Sequence, residues 1–226
     1  MTATQRPTIV LIGGTFNPVH LGHQGLDEGQ LRRGGVERLF VLPTAQNPFK
    51  EDAPSLPAGL RLQMVRAAVQ GLPGVSVLDM ELRRGHPSFT IDTVTALASQ
   101  YPAADLQLAM GWDVFSEFLR WRSAEAILEL SGLWVVLREG FEGPASGDSG
   151  AWLAGLPERW RGRLGLDDRG SARDQAGRVV VEFINLALPE ISATQIRSER
   201  SLEWVPEKAR ALLAAHWRKA GHRGEA

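Results

Sequence analysis

The segment from Gly13 to His23 constrains the fold of this chain more than any other stretch. It reads Gly-Gly-Thr-Phe-Asn-Pro-Val-His-Leu-Gly-His, and it follows an apolar run, Ile9 to Ile12, that is short enough to be a buried strand. The residues from Gln24 to Arg33 are typical of a helix that ends at a pair of glycines. The order of strand, glycine turn and helix predicts an anion site, because the first amides of a helix have no internal partner and the helix dipole is positive there.

Two histidines lie within this segment, His20 and His23, with Gly22 between them. We expect both imidazoles to point toward one locus that Gly22 leaves open, where they can donate hydrogen bonds to phosphate oxygens. The alternatives are an ordinary tight turn for the glycines, and helix capping or metal ligation for the histidines. A zinc site is disfavoured because the chain has no Cys and only three other His. The segment therefore predicts a phosphate site and no metal held by the protein.

Composition excludes several classes of function. The 226 residues suit one α/β domain, and an apolar content of 43% is enough for a sizeable core. A net charge of −1 argues against nucleic-acid polymers and membranes as partners. The absence of Cys excludes disulfides and thiolate chemistry, and no apolar stretch approaches the roughly 20 residues of a membrane helix. We expect a cytoplasmic protein, whose oligomeric state the sequence leaves open.

Predicted strands and helices alternate along the chain. The strands are expected at 9–12, 36–42, 75–78, 106–110, 133–137 and 178–183, and the helices at 24–33, 58–70, 90–100, 124–130 and 206–220. This alternation predicts one doubly wound, Rossmann-like parallel sheet flanked by helices, in a single domain of residues 1–226. Ligands of such sheets bind beyond the carboxyl ends of the strands, where Gly13, Pro43 and Gly111 fall. Residues Glu139 to Gly177 hold nine of the 24 glycines and predict a loop-rich excursion, with one short helix from Ala151 to Trp160.

The run from Gly13 to His23 resembles the signature of the nucleotidylyltransferase superfamily. Three further segments resemble, in order, motifs of the bacterial nicotinate-nucleotide adenylyltransferase family: Pro87 to Thr93, Gly111 to Asp113 with Trp121 beyond it, and Ile191 to Arg197. The resemblance covers nearly the whole chain. It implies adenylyl transfer from ATP to nicotinate mononucleotide, giving deamido-NAD and pyrophosphate in NAD biosynthesis, with Mg²⁺ arriving on the ATP.

The resemblance also implies roles for individual residues. The catalytic residues would be His20, His23 and Arg197. ATP would be bound by Gly13, Gly14, Thr15, Phe16, His20, His23, Lys50, Gly111, Asp113, Ile191, Ser192, Thr194 and Arg197. Nicotinate mononucleotide would be bound by Thr15, Lys50, Phe89, Thr90 and Trp121.

Some of these residues also have a structural interpretation. Ser192 is a plausible N-cap of a helix, and tryptophans such as Trp112 more often pack than bind a ring. Two positions depart from the family pattern, because Asn17 stands where Asp is usual and Phe49 stands where a His usually precedes the lysine. Asn keeps an acceptor oxygen without a negative charge, so the first change need not harm phosphate binding.

The acceptor is expected to be the acid nucleotide rather than its amide. Free amides at the start of the helix that Thr90 opens, with the Thr90 hydroxyl, would donate hydrogen bonds to a carboxylate, provided that Asp92 is engaged in the first turn of that helix. Two other functions stay open. One is a nucleotidylyltransferase with another acceptor, nicotinamide mononucleotide or phosphopantetheine. The other is a catalytically silent nucleotide-binding regulator, which could dispense with transition-state contacts such as those of His20, His23 and Arg197.

Overall fold

The computed structural model of the chain describes residues 6–25, 35–44, 56–84, 88–138, 149–167 and 171–221. Its strands are β1 Thr8–Gly14, β2 Val36–Pro43, β3 Val75–Val77, β4 Asp105–Gly111, β5 Gly132–Arg138, β6 Leu164–Leu166, β7 Ala172–Asp174 and β8 Val179–Leu186. Its helices are α1 Ala58–Ala68, α2 Met80–Arg83, α3 Thr90–Gln100, α4 Trp112–Phe115, α5 Ala124–Leu130, α6 Ser149–Gly155, α7 Glu158–Arg161, α8 Ala193–Glu199 and α9 Glu207–Gly221, with one 3-10 turn at Phe118–Arg120.

The eight strands form one sheet in the order β3-β2-β1-β4-β5-β8-β7-β6. β2 pairs with β3 in parallel, and β5 pairs in parallel with both β4 and β8. The chain builds the sheet outward from β1 in one direction and from β4 in the other, which is the doubly wound arrangement. The predicted α/β fold is therefore confirmed, with the addition of β6 and β7, which run antiparallel at one edge.

The chain divides into two compact units. The first unit comprises Met1–Leu11, Gly35–Glu37 and Phe89–Ala187, and its core includes the fully buried Val135 and Val181 of neighbouring strands. The second unit comprises Ile12–Gly34, Arg38–Ser88 and Leu188–Ala226. In it, helices α1 and α9 pack together and bury the side chains of Met64, Val65, Ala209 and Leu213. The prediction of a single domain over residues 1–226 stays a prediction.

Helices with a regular apolar stripe begin and end close to where the sequence predicts. α3 and α5 have the predicted bounds, because Val94 and Leu97 in α3 and Ile127 and Leu128 in α5 are buried at helical spacing. The helix predicted at 24–33 begins earlier than expected, since residues 21–25, which precede α1, are already helical. Most of the predicted span 24–33 lies outside the described residues.

The described part of residues 139–177 is more regular than predicted. The single helix expected from Ala151 to Trp160 is two, α6 and α7, because the proline at 157 cannot continue a helix and instead precedes α7 with extended backbone. Strands β6 and β7 form a hairpin that joins the sheet through β8. Among the described glycines of this stretch, Gly150, Gly155 and Gly165 lie inside these short elements, so glycine content did not indicate where its turns fall.

The described helices are short. The longest, α9, has 15 residues, whereas a membrane span needs about 20. No helix in the described ranges combines the length and the apolar character that crossing a membrane requires. The predicted cytoplasmic location stays a prediction.

Candidate active site

The glycine pair ends strand β1 and does not itself form the turn. Gly13 and Gly14 are the last residues of β1, and the Gly14 carbonyl accepts a hydrogen bond from the Thr44 amide at 2.9 Å. The chain turns beyond the pair, where Phe16 has a φ of 47° and the Asn17-Pro18 bond is cis. A Cβ on Gly14 would lie 3.2 Å from the Phe16 ring, so a glycine lets this ring fold back toward the strand. The predicted glycine turn is wrong in position, because the reversal depends on the left-handed backbone of Phe16.

His20 and His23 lie against each other in the second unit. Their ring centroids are 3.8 Å apart, with His20 buried and His23 half-buried. The His20 amide donates to Nδ1 of His23 at 3.2 Å. A ring nitrogen that accepts a hydrogen bond carries no proton, so neutral His23 carries its proton on Nε2 and can donate it to a ligand. A Cβ on Gly22 would lie 3.1 Å from the His20 ring, which explains the glycine between the two histidines.

The segment from Ile191 to Arg197 begins helix α8. The Ser192 hydroxyl accepts a hydrogen bond from the Gln195 amide at 3.1 Å, and this is the N-cap that the sequence predicted. Ile191 and Ile196 are buried beneath the helix start. Arg197 is half-buried and donates from Nη1 to the Asn17 carbonyl at 2.5 Å and from Nη2 to the Thr194 hydroxyl at 3.3 Å. The second unit thus places the Ile191 to Arg197 segment beside the turn that follows β1.

Asn17 has a structural role that explains part of its departure from the family pattern. Its side chain is buried, and its Oδ1 accepts a hydrogen bond from the Leu56 amide at 2.9 Å. The side-chain oxygen of Asn17 accepts from the Leu56 backbone amide as a carboxylate oxygen would, and it does so without burying a negative charge near a phosphate site. Together with the carbonyl that accepts from Arg197, Asn17 connects two parts of the second unit.

Arg61 is absent from the site predicted from the sequence. It lies in α1, is only 2% exposed, and burial lowers the pKa of its guanidinium. Its Nη1 donates to the carbonyls of Thr15 at 2.6 Å and Thr44 at 2.8 Å, and its Nε donates to the Leu56 carbonyl at 3.1 Å. One signal was available in the sequence. Arg61 occupies the first position of the buried stripe that continues through Met64, Val65 and Ala68 at helical spacing, where an apolar residue is expected.

In the first unit, the residues predicted for the pyridine nucleotide lie around the start of α3. The Phe89 amide donates to the Asp92 carboxylate at 3.4 Å, so Asp92 belongs to the first turn as expected. The Arg122 guanidinium lies over the Phe89 ring, 4.5 Å from its centroid. This contact brings Arg122 to the start of the helix that Thr90 opens, and the ring of the half-buried Trp121 packs with its centroid 5.5 Å from that of Phe118. Arg122 was not among the predicted residues, because only its position over Phe89 distinguishes it from other exposed arginines.

The end of β4 carries Gly111 and Asp113. A Cβ on Gly111 would lie 2.7 Å from the Asp113 carboxylate, so the glycine makes room for this exposed side chain at the start of α4. The intervening Trp112 packs against Phe115 and Phe183, with ring centroids 5.5 and 6.2 Å apart respectively. These contacts indicate a packing role for Trp112.

The contacts above leave three expectations about the site untested: the nucleotide-binding role of Lys50, the convergence of the motifs, and the absence of a metal held by the protein. Lys50 lies outside the described residues, so its assignment to both nucleotides stays a prediction. The expected convergence of the motifs of both units on one edge of the sheet also stays a prediction. In the ranges that the structure describes, no three His, Cys, Asp or Glu side chains form a group that could hold a metal ion.

Residues 11–199 match the family described as cytidylyltransferase-like. The chain is similar to the protein named "Probable nicotinate-nucleotide adenylyltransferase" of Symbiobacterium thermophilum, with 38% identity over 158 residues that cover 70% of this chain and 74% of the relative. It is also similar to the protein of the same name from Pelobacter propionicus, with 34% identity over 210 residues that cover 91% and 94% of the two chains. Among solved structures, the nicotinic acid mononucleotide adenylyltransferase of Plasmodium falciparum complexed with NaAD has a TM-score of 0.68 at 12% identity, over 93% of this chain and 96% of that one. At that identity, the structural likeness concerns the fold.

Proposed function

The chain belongs to the nicotinate-nucleotide adenylyltransferase family, and we propose that it transfers the adenylyl group of ATP to nicotinate mononucleotide, giving deamido-NAD and pyrophosphate. The observation that carries this proposal is the hydrogen bond from Arg197 to the Asn17 carbonyl. It sets the Ile191 to Arg197 motif beside the turn whose next residues include His20 and His23. Both motifs are those for which the family resemblance implies phosphate binding.

The acceptor supplies the nucleophile in this reaction. An oxygen of its phosphate, already anionic at neutral pH, forms a bond to the α-phosphorus of ATP while the bond from that phosphorus to the pyrophosphate breaks. No protein base and no covalent intermediate are required. The protein has to align the two phosphates and stabilise the charge that develops on the α-phosphoryl group and the leaving pyrophosphate.

We assign the charge stabilisation to His23 and Arg197. Because Nδ1 of His23 accepts from the His20 amide, the proton of the neutral ring is on Nε2, which is the nitrogen that would donate to a phosphate oxygen, and the buried His20 ring packs against that of His23. A guanidinium has five N–H groups, and Asn17 and Thr194 occupy two of those of Arg197. The others can donate to phosphate oxygens with the charge and planar geometry that suit a phosphate. Backbone amides of Gly14, Thr15 and Phe16, the hydroxyls of Ser192 and Thr194, and Lys50 complete the proposed phosphate site.

The pyridine end of the acceptor is assigned to the first unit. The half-buried Trp121 would stack on the pyridine ring, and the start of α3 at Phe89 and Thr90 would receive the nicotinate carboxylate. Asp92 is directed to the Phe89 amide, so it is engaged in the first turn of the helix, as the carboxylate assignment requires. Gly111 and the exposed Asp113 are assigned to the nucleoside of ATP, where Asp113 would accept from a ribose hydroxyl.

Nucleotidyltransferases of this type generally use a divalent metal with ATP. We propose that the ion is Mg²⁺ and that it enters as part of the substrate, bound to the phosphates of ATP. Mg²⁺ commonly binds in this way, through substrate phosphates and few protein ligands.

The proposal is tested by pyrophosphate release from purified protein with Mg²⁺. The donors are ATP and CTP, and the acceptors are nicotinate mononucleotide and phosphopantetheine, with an acceptor-free reaction as the control for simple hydrolysis. We expect release only with ATP and nicotinate mononucleotide, and a product with the mass of deamido-NAD. Release with phosphopantetheine would indicate a different acceptor. ATP binding without release for any acceptor would indicate a regulator and would contradict the proposed activity.

A further inference from the structure

We propose that Arg61 is a positioning residue of the phosphate site, which sets the orientation of the Thr15–Phe16 peptide and thereby the rate of adenylyl transfer. The kinetic part of this inference rests on the proposed function, whereas its structural part rests on the hydrogen bonds of Arg61 alone. Arg61 is 2% exposed, so it acts through other residues and not by contact with a substrate.

A buried guanidinium is costly unless hydrogen bonds compensate the charge. Arg61 donates to three backbone carbonyls from separate stretches of the second unit: Thr15 after β1, Thr44 after β2, and Leu56 before α1. The helix that carries it is held in turn by the buried Met64 and Val65. The three carbonyls are therefore held by one planar group whose own position is fixed.

The orientation of the Thr15 carbonyl determines where the next amide points. In a trans peptide the C=O and N–H groups of one plane point in opposite directions. Because Nη1 of Arg61 holds the Thr15 carbonyl at 2.6 Å, the Phe16 amide is directed away from the guanidinium. Phe16 has a φ of 47°, which a side-chain-bearing residue adopts only when its surroundings hold it there. Arg61 provides that restraint on the peptide immediately before Phe16, a residue predicted to bind ATP.

A chain of hydrogen bonds also links Arg61 to the arginine assigned to catalysis. Nε of Arg61 donates to the Leu56 carbonyl, and the Leu56 amide donates to Oδ1 of Asn17. The Asn17 carbonyl accepts from Nη1 of Arg197. Loss of the Arg61 guanidinium would thus loosen both the Phe16 amide, through Thr15, and the Asn17 carbonyl that orients Arg197, through Leu56.

The test compares Arg61→Met and Arg61→Lys with wild type, and uses Arg66→Met as a matched control. Arg66 lies on the exposed side of the same helix, where its side chain is 53% exposed and paired with Asp79. All proteins are checked for folding by near-UV circular dichroism and assayed well below the lowest melting temperature. We expect kcat to fall about 100-fold in Arg61→Met, the effect of a small misplacement of reacting groups. The Km for ATP should change much less, Arg61→Lys should lie in between, and Arg66→Met should match wild type.

A purely structural role would lower the melting temperature and leave kcat unchanged in the folded variants. A folded Arg61→Met with kcat within about 3-fold of wild type would overturn the inference, since misplacement of reacting groups is expected to cost far more. If Arg61→Met does not fold, Arg61→Lys decides, because an ammonium cannot reproduce the geometry of a guanidinium toward three carbonyls. A folded Lys variant with wild-type kcat and Km would also overturn it.

Failure of the proposed function is distinguished by the wild-type assay. If wild type gives no product, the proposed activity fails and Arg61 is then tested by calorimetric titration of ATP. We expect the Kd for ATP to rise about 5- to 10-fold in Arg61→Met, the effect of one weakened phosphate hydrogen bond. An unchanged Kd in that case would overturn the positioning role.

Discussion

The guanidinium of Arg197 donates a hydrogen bond to the backbone carbonyl of Asn17 at 2.5 Å, although the two residues are 180 positions apart in the chain. A long, charged side chain loses considerable rotamer freedom when it binds a ligand. The contact with Asn17, together with the one to Thr194, holds the Arg197 guanidinium before any nucleotide binds. Arg197 is thus preorganised for a ligand that its remaining N–H groups can contact.

We expect Arg197→Lys to lower kcat/Km for ATP by about 10-fold or more, although the charge is kept. An ammonium has no planar fork, so it cannot contact Asn17 and Thr194 and also bind two phosphate oxygens. The control is Arg200→Lys, at the exposed residue that follows α8. Wild-type kinetics in the Arg197 variant would show that this residue acts only as a distant charge.

We expect His23→Ala to lower turnover by about 10²–10³-fold, which is the usual cost of losing one preorganised donor to a developing charge. The affinity for ATP should fall far less, and steady-state kinetics with calorimetric titration of ATP separate the two. His216→Ala, in the terminal helix α9, serves as the matched control. Near-normal turnover of the His23 variant would leave that residue a packing role against His20 and Phe16.

Arg122→Met should reduce the preference for the acid nucleotide. The guanidinium over Phe89 places a positive charge at the start of α3, where the nicotinate carboxylate is proposed to bind. Because Arg122 is exposed, we expect only about a 5-fold loss in kcat/Km for nicotinate mononucleotide, and little change for the amide. Arg120→Met, which removes an exposed arginine paired with Glu117, is the control. An equal loss for both nucleotides would exclude recognition of the carboxylate by Arg122.

Asp174 should make stability depend on pH. Burial alone raises the pKa of its carboxyl, but hydrogen bonds and charge from Arg178, with a bond from the Ala176 amide, outweigh this and lower the pKa. A lowered folded-state pKa gives stabilisation that is present above the unfolded value, about 4, and that is lost as the pH falls through the folded-state pKa. Asp174→Asn should therefore lower the melting temperature by about 2–4 °C at pH 7 and much less near pH 2.

The control for this stability measurement is Glu199→Gln, at an exposed carboxylate in α8. The glutamine variant should melt close to wild type at both pH values. If Asp174→Asn lowered the melting temperature by the same amount at pH 7 and at pH 2, the charge of Asp174 would not be the source of the stabilisation.

Features that depend on local chemistry were predictable from the sequence. The Ser192 cap was predictable because the cap is local: the Ser192 hydroxyl accepts from the amide of Gln195, only three residues later in the chain. The bounds of α3 follow from apolar residues such as Val94 and Leu97 at helical spacing. The parallel part of the sheet follows from the alternation of strands and helices.

Features that depend on distant parts of the chain were not predictable. Arg61 contacts three carbonyls that come together only in the folded second unit, and nothing in its neighbouring residues specifies them. The reversal after β1 uses a left-handed Phe16, whereas residue preferences favour a glycine there. Arg122 looks like any exposed arginine until its position over Phe89 is known.

The identity of the acceptor is the central claim, and it is tested most directly by measuring kcat/Km for nicotinate mononucleotide and for nicotinamide mononucleotide at equal ATP, with chromatographic identification of the products. A carboxamide would place an NH₂ group where helix amides need an acceptor. The cost of leaving a buried group unsatisfied corresponds to roughly a 5- to 150-fold difference in kcat/Km between the two nucleotides. We predict deamido-NAD as the preferred product, with kcat/Km for the acid higher by a factor in that range. Equal or better use of the amide would contradict the assignment of the start of α3 to the nicotinate carboxylate, and would make the amide nucleotide the acceptor.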